Sequence, residues 1–567
     1  MFDVANDRLS YGELLRPEVG YSLDFAAGLT YSLDLEALLG VPVSLGLLED
    51  ADDELMRSPL YVLEAIRKSA DRIAIVCNAG SIKLPDKIQS VYSLLEESVF
   101  EVKLKNRSNF HPKLWVLKYS NTEGDSYINL LVLSRNLTFD ASLDLCISMR
   151  GKVGRAKRKK NKPLADILLF AAQYAGKKAE QMRMLAEDVL HVAQFEVEYP
   201  FADYEFFPMG IDGYAGENVG LFEGKYDLFA VSPFLSDDVV QRLTQCSGRK
   251  ILVTRKSSVT KKVMEAFEHT YITKDVMTDN EFGAKQDIHA KLYFTTTYEK
   301  NYLYIGSANA SHNAFSRNVE CLLRLEYKPY AMGFKMFCQD FLPAENCPFE
   351  ELTTLPEVQP KDEKLKLVED ALREAVYALK KAAVTADEAG YTITVDAKEL
   401  KTGERVYLAP LQRKELLLPL QGKTVFTGMQ LKELSEFYVI TVQDQSIVVK
   451  VKTTGIPKER DQAIYRSIID SKAKFMSYLA FVLAENPAAS AAESEMLAEM
   501  LLTDEDKGLS RAVTTAIFEK MLRIFHQNPA RLKGIADMIR RLDPDVVGDK
   551  FVQMYQQFEM AARKVRK

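Results

Sequence analysis

The chain has 567 residues, 47% of them hydrophobic and 27% charged, with 74 basic residues against 80 acidic ones and a net charge of −6. That length exceeds one ordinary hydrophobic core, and that balance excludes a disordered or fibrous chain. A mildly acidic whole also excludes a protein that coats nucleic acid along its length, although a local basic patch can still hold a polyanion. The opening MFDVANDRLS lacks the basic-then-apolar pattern of a signal peptide, and the longest apolar pieces, such as SYLAFVLA, are too short to span a bilayer. The cysteines, Cys77, Cys146, Cys246, Cys321, Cys338 and Cys347, show no CxxC pairing. Neither a zinc site nor a disulfide framework follows, and Cys77, Cys146 and Cys321 read as buried thiols of a cytoplasmic protein.

In chain order, FAAGLTYSL near 25–33 reads as a strand, and YVLEAIRKSADRIAIVCN at 61–78 as a helix followed by a strand. Residues 109–149 then begin with His-x-Lys-Leu-aromatic, turn polar, enter the strand YINLLVLS, and continue as Ser-x-Asn and Leu143-Asp144-Leu145. The basic run KVGRAKRKKNKP at 152–163 reads as a solvated loop, with a contact to a polyanion backbone as its functional alternative. A helical stretch at 164–194 closes the unit. The series then repeats: YDLFAVSPF at 226–234, a helix and strand at 238–254, and at 287–325 the same His-x-Lys-Leu-aromatic, strand, Ser-x-Asn and Val319-Glu320-Cys321. Such alternation predicts a mixed or parallel sheet covered by helices, built twice, over residues 1–200 and 201–345. Residues 346–389 are expected to be a helical connector, with Leu365, Leu367, Val368, Leu372 and Val376 as the apolar stripe of a helix over 361–385. A small β-rich domain is predicted for 390–455, and a helical domain for 456–567 with a loop at ENPAASAAESE.

The repeated pattern carries chemistry. Residues i and i+2 of an extended segment share a face, so His111 projects with Lys113 and His289 with Lys291. Ser134 with Asn136, and Ser307 with Asn309, share a face in the same way. Two such sets brought together give two imidazoles flanking a cage of donors. That inventory suits phosphoryl transfer: the lysines and asparagines hold the non-bridging oxygens, one imidazole attacks phosphorus, and the other protonates the leaving oxygen. Asp144 and Glu320 can each fix an imidazole by accepting its second N–H. The lysines supply the positive charge, so no metal or other cofactor is expected. His191, His269, His312 and His526 lack this context; His191 and His526 read as structural.

His111-Pro112-Lys113 with Ser134-Arg135-Asn136, and His289-Ala290-Lys291 with Gly306-Ser307-Ala308-Asn309, resemble the paired motifs of the phospholipase D superfamily. The resemblance spans residues 20–330. The first copy departs from the pattern with Leu133 in place of the usual Gly and Asp144 where Glu is common. The resemblance implies two α/β repeats packed as a pseudo-dimer, with the site at their interface, ahead of the C-terminal β-containing and helical regions. It also implies a phosphohistidine intermediate, with His111 as nucleophile and His289 as general acid. Lipid-acting members carry Asp five residues after the motif lysine; Lys118 and Thr296 stand there instead, which leans toward the nuclease-like branch. The expectation is a metal-independent nuclease acting on DNA before RNA, by analogy the effector of a bacterial anti-phage or restriction system. No GxxxxGK[ST] loop is present, so a partner ATPase or helicase, engaged through the C-terminal region, would be a separate chain. The alternatives are a phospholipid-acting enzyme and a non-catalytic nucleic-acid-binding module. No membrane association is expected, and the oligomeric state stays open.

Overall fold

A computed structural model of the chain describes residues 11–42, 44–45, 59–138, 143–274, 288–345, 347–356, 363–388, 390–483, 511–527 and 529–565. The first unit contributes β1 (Ser22–Thr30), β2 (Leu33–Asp34), β3 (Ile73–Asn78), β4 (Ile82–Lys83), β5 (Val99–Val102), β6 (Leu114–Ser120), β7 (Ser126–Leu133) and β8 (Cys146–Lys152). The second contributes β9 (Phe201–Met209), β10 (Leu228–Val231), β11 (Lys250–Thr254), β12 (His269–Thr273), β13 (Leu292–Thr296), β14 (Asn301–Gly306), β15 (Glu320–Tyr327) and β16 (Phe349–Glu351).

The two main sheets share one topology. The first runs β5-β3-β1-β6-β7-β8; the second runs β16-β12-β11-β10-β13-β14-β15-β9, the same order with one added strand at each edge. The strand directions also match. β1 is parallel to β3 and antiparallel to β6, and β10 is likewise parallel to β11 and antiparallel to β13. This is the duplicated α/β architecture expected from the repeat.

The apolar runs are continuous because the strands are covered on both faces. Along β3, Ala74 and Val76 face one core while Ile73, Ile75 and Cys77 face another; along β6, Leu114 and Val116 separate from Trp115, Leu117 and Tyr119 in the same way. The inner core is shared by both units. Val116, Leu130 and Val132 of the first sheet pack in it with Phe229, Val231, Phe294 and Ile305 of the second, and with Leu164, Ile167, Met182 and Leu185 from the helices Lys162–Ala172 and Ala179–Leu190. Each such fully buried side chain contributes about 1.5–3 kcal/mol. The pseudo-dimer interface is thus a core, and it fixes the two motif-bearing edges against each other.

The C-terminal region differs from the expected division. The helix Glu363–Ala378 stops short of 385, and Leu379–Asp387 is a strand, β17, paired with β18 (Gly390–Ala397). The boundary drawn at 389/390 therefore falls inside a hairpin. The Ala-Ala-Val-Thr run in β17 alternates buried and exposed residues, a period of two that the helical reading overrode. Leu365 and Leu367 are half exposed, whereas Val368, Ala371, Leu372, Ala375 and Val376 form the buried stripe. The connector 346–389 also holds β16, which belongs to the second main sheet.

Six further strands follow: β19 (Val406–Pro410), β20 (Leu418–Pro419), β21 (Lys423–Met429), β22 (Phe437–Val442), β23 (Gln445–Lys450) and β24 (Thr453–Thr454). They do not stand alone, because the sheet β2-β4-β23-β22-β19-β20 takes in two short strands of the first unit. The helices Glu459–Ile468, Lys472–Leu483, Arg511–Gln527, Pro529–Arg541 and Asp549–Val565 share the outer core of the first sheet through Ile464, Phe475, Ile517, Ile535 and Phe551. The loop ENPAASAAESE lies outside the described residues. Among the described residues, no helix is long and apolar enough to cross a membrane. Cys77 and Cys321 are buried, Cys146 is partly exposed, and all six thiols are free.

Candidate active site

The carboxyl ends of β1, β3 and β7 and the amino ends of β6 and β8 lie on one edge of the first sheet. The corresponding ends of β10, β11, β14, β13 and β15 form the matching edge of the second. Each edge is pinned by the same local device. Leu137 N–H donates to Thr30 Oγ1 at 3.0 Å, and Ala310 N–H donates to Ser232 Oγ at 2.9 Å, so the residue after each motif asparagine is tied to the end of the unit's leading strand. Ser134 N–H donates to Leu145 O and Ser307 N–H to Cys321 O, both at 3.0 Å.

The two edges then clasp each other reciprocally. His111 N–H donates to Val319 O at 2.9 Å, and Val319 N–H to Asn109 O at 2.9 Å. On the other side, His289 N–H and Ala290 N–H both donate to Leu143 O, at 3.0 and 3.1 Å. Each histidine-bearing segment is therefore held by the strand end of the opposite repeat, directly beside Glu320 or Asp144. This near-twofold exchange brings His111, Lys113, His289, Lys291, Asp144 and Glu320 to one interface, and neither repeat can build the site alone.

His111 Nδ1 lies 2.8 Å from Glu320 Oε2, a contact made across the repeats. Glu320 is completely buried and His111 is 15% exposed. Lys113 Nζ approaches His111 Nε2 at 3.0 Å, and the ring of Tyr31 lies 5.0 Å from the imidazole, centroid to centroid. Lys113 and Lys291 are both buried, and Lys291 Nζ donates to His289 O. Burial pushes the Lys113 ammonium well below its usual range and nearby Lys291 pushes it further; Glu320 and Asp144 oppose. Burial likewise holds His111 below the usual imidazole value, against the pull of Glu320 and helped by Lys113. Both effects, burial and Lys113, favour the neutral imidazole. With Nδ1–H donated to the carboxylate, the lone pair falls on Nε2.

The serines are used differently from the sequence expectation. Residues 134 and 135 form a bend after β7 rather than an extended segment. Ser134 Oγ–H donates to Asp144 Oδ1, and Ser307 Oγ–H donates to Glu320 Oε2 at 2.5 Å, so each hydroxyl holds a carboxylate. Both also accept a backbone N–H at 2.9 Å, from Leu145 and from Cys321. Burial pushes the Asp144 carboxyl up to about 6, against the Ser134 hydrogen bond and the nearby Arg135. The motif asparagines differ: among the described residues, Asn136 Oδ1 and Asn309 Oδ1 are buried without a hydrogen-bond partner. Buried polar atoms are rarely left unpartnered, and these two stand at equivalent places in the two repeats.

Several contributors carried no motif signal. Asn318 Nδ2 donates to Glu320 Oε1 at 3.1 Å, and Asn78 Oδ1 accepts Phe110 N–H at 3.0 Å. Arg255 donates to Ile288 O at 3.0 Å and lies 4.8 Å over the half-exposed ring of Phe234, on the His289 side. Asn318 could have been found from its i, i+2 relation to Glu320; Asn78 and Arg255 lie far from the motifs in sequence. Gly306, before Ser307, has φ 150°, and a Cβ there would come within 2.3 Å of Cys321 O. Leu133 occupies the equivalent place in the first repeat without positive φ, which is how that departure from the pattern is accommodated. His269 and His312 are surface partners of Glu351 and Asp238, each at 2.7 Å.

The basic run at 152–163 lies elsewhere. β8 carries the chain seven residues from the site edge, on the order of 23 Å, before the run begins. Lys152, Lys157, Lys160 and Lys162 pair there with Asp125, Glu187, Asp203 and Asp166.

No protein-family model matches the chain, and neither does any curated protein. Among solved structures, a variant of yeast tyrosyl-DNA phosphodiesterase is similar at 12% identity over 55% of this chain and 84% of that one, with a TM-score of 0.36. Phosphatidylserine synthase of Haemophilus influenzae is similar at 12% identity over 64% and 89%, with a TM-score of 0.35. Polyphosphate kinase of Porphyromonas gingivalis is similar at 10% identity over 62% and 42%, with a TM-score of 0.30. Likenesses this weak assign no activity.

Proposed function

We propose that the chain is a metal-independent phosphodiesterase of the phospholipase D type that cleaves DNA through a phosphohistidine. One observation carries this reading: two buried lysines, one from each repeat, flank the place where His111 is held by Glu320 across the repeats. Burying like charges together is costly unless an anion joins them, and a phosphodiester is such an anion. The side-chain amides of Asn136 and Asn309, whose oxygens have no partner among the described residues, support it, because either amide turned about its last bond donates N–H to the non-bridging oxygens.

In the reaction, the lone pair on His111 Nε2 forms a bond to phosphorus while the bond to the leaving oxygen breaks, and His289 gives that oxygen its proton. Glu320 stabilises the charge that grows on the His111 ring. Water then attacks phosphorus, gives its proton to His289 and breaks the N–P bond. Lys113 and Lys291 hold the oxygens on which charge accumulates, the role for which preorganised donors are most effective.

DNA rather than lipid is favoured by Phe234. Its half-exposed ring, backed by Arg255 beside the His289 segment, offers a stacking surface for a base. The test is to incubate the full chain in EDTA with single-stranded DNA, plasmid, RNA and phosphatidylcholine vesicles, beside His111→Ala and His289→Ala. Histidine-dependent DNA cleavage in chelator is the expected result. Turnover of vesicles alone would transfer the reading to lipid, and cleavage that survives loss of both histidines would end it.

A further inference from the structure

The loop that delivers His111 is gripped by the C-terminal region. Residues 103–110 lead from β5 to the site through a left-handed turn in which Asn106 and Arg107 have φ of 57° and 58°. Asparagine adopts that conformation readily, whereas an arginine there is uncommon and is held by its surroundings. The surroundings here are the helix Glu363–Ala378. Tyr377 Oη–H donates to Leu104 O at 2.8 Å, and Lys103 Nζ donates to Val376 O at 2.9 Å and to Leu379 O at 3.3 Å, capping the helix end with a cation. Arg107 and Asp370 add an exposed ion pair at 3.4 Å. The helix approaches closely at Gly80, whose Cβ, if present, would lie 2.5 Å from Val376 Cγ2.

One of these contacts continues into the site. Arg373 Nη2 donates to Asn109 Oδ1 at 3.2 Å and to Ser108 O at 3.3 Å. Asn109 N–H donates to Asn318 Oδ1 at 3.1 Å, Asn318 Nδ2 donates to Glu320 Oε1 at 3.1 Å, and Glu320 Oε2 meets His111 Nδ1 at 2.8 Å. The chain of bonds runs from the C-terminal helix through the first repeat into the second and back to the imidazole. Every link is within normal hydrogen-bond range. The relay also restrains rotation of Asn318 and Glu320, since each uses both ends of its side chain.

We infer that Arg373 is a positioning residue for His111, and that the helix Glu363–Ala378 is the means by which the C-terminal region sets the reactivity of the site. The inference rests on the phosphodiesterase reading for its consequence in turnover, but not for the relay itself. Loss of Arg373 releases the Asn109 side chain and Ser108 O, leaves residue 109 held only through its backbone by Val319 and Asn318, and so loosens the Asn318–Glu320 pair that orients the imidazole. Displacements of this size at a reacting group cost up to about 100-fold in rate.

The test uses the full chain with Arg373→Ala, Arg373→Lys and Asn109→Ala, which cuts the same link from its other end. Steady-state hydrolysis of bis(p-nitrophenyl) phosphate in EDTA is measured beside histidine-labelled NMR titration; six histidines give few resonances. The expected result for Arg373→Ala is a kcat lower by about 10-fold or more with KM little changed. The His111 titration midpoint moves, the His269 and His312 midpoints stay, and Arg373→Lys restores part of both effects. Unchanged kcat in Arg373→Ala with an active, His111-dependent parent would overturn the inference. So would a His111 midpoint that moves in neither Arg373→Ala nor Asn109→Ala, whether or not the first variant folds. A parent without His111-dependent turnover would instead defeat the phosphodiesterase reading, and the His111 midpoint would still decide the relay.

Discussion

Glu320→Gln isolates the cross-repeat contact at the centre of the site. Glu320 is fully buried and accepts from Ser307 Oγ at 2.5 Å and Asn318 Nδ2 at 3.1 Å, with His111 Nδ1 at 2.8 Å. The amide keeps the volume and removes the charge. A hydrogen bond to a charged group is worth about 1.5–3 kcal/mol, and the positive charge on His111 grows as Nε2 attacks, so most of that is lost in the transition state. At about 1.4 kcal/mol per tenfold, kcat should fall by roughly 10- to 100-fold. The pH profile gives an independent check. The nucleophile must be neutral, so activity rises with pH through the His111 pKa. The Glu320 charge raises that pKa against burial. Removing it lowers the pKa further, and the acidic limb of kcat/KM moves to lower pH. The assay is a pH series of bis(p-nitrophenyl) phosphate hydrolysis in EDTA. A kcat within error of the parent, or an acidic limb that stays or moves upward, would refute the assigned role.

Three further outcomes follow from the same geometry. Asp144 is pushed up from 3.8 to about 6 by burial, so between those values the unfolded chain ionises there while the folded chain holds its proton, and stability falls as pH rises. Asp144→Asn should therefore be more stable than the parent at pH 7.5 by up to about 3 kcal/mol, the gain vanishing below pH 4 in urea unfolding, while turnover drops. Gly306→Ala forces a Cβ to 2.3 Å from Cys321 O at φ 150°, so it should cost about 2 kcal/mol or more in the same assay and displace Ser307; Leu133→Ala should not disturb the backbone. Lys113→Met removes an ammonium whose pKa burial depresses, so it should raise the melting temperature at neutral pH while abolishing activity.

The sequence carried the parts of this molecule that recur at fixed local spacing. His-x-Lys and Ser-x-Asn lie within one short segment each, and their twofold recurrence marks the repeats before any coordinates. The continuous apolar runs of β3, β6 and β13 mark strands covered on both faces. The exchange between repeats was less legible. Spacing places Glu320 near Ser307, but the pairing with His111, 209 residues away, exists only because two sheets meet edge to edge. Alternation placed Ser134 on one face with Asn136, and the bend after β7 turns Ser134 toward Asp144 instead. Arg373 had no signal at all: it lies in an amphipathic helix, and its partner Asn109 is 264 residues away. β17 was misread because alanine-rich text suits a helix until its neighbour β18 supplies a ladder.

The measurement that bears most directly on two repeats converging on one phosphorus is a rapid acid-free quench of turnover on a 32P-labelled diester, followed by peptide mapping. Label on the His111 peptide that accumulates in His289→Ala and is absent from His111→Ala is the predicted result. Turnover by the parent without any protein-bound label in either variant, or label on a residue other than His111, would contradict it.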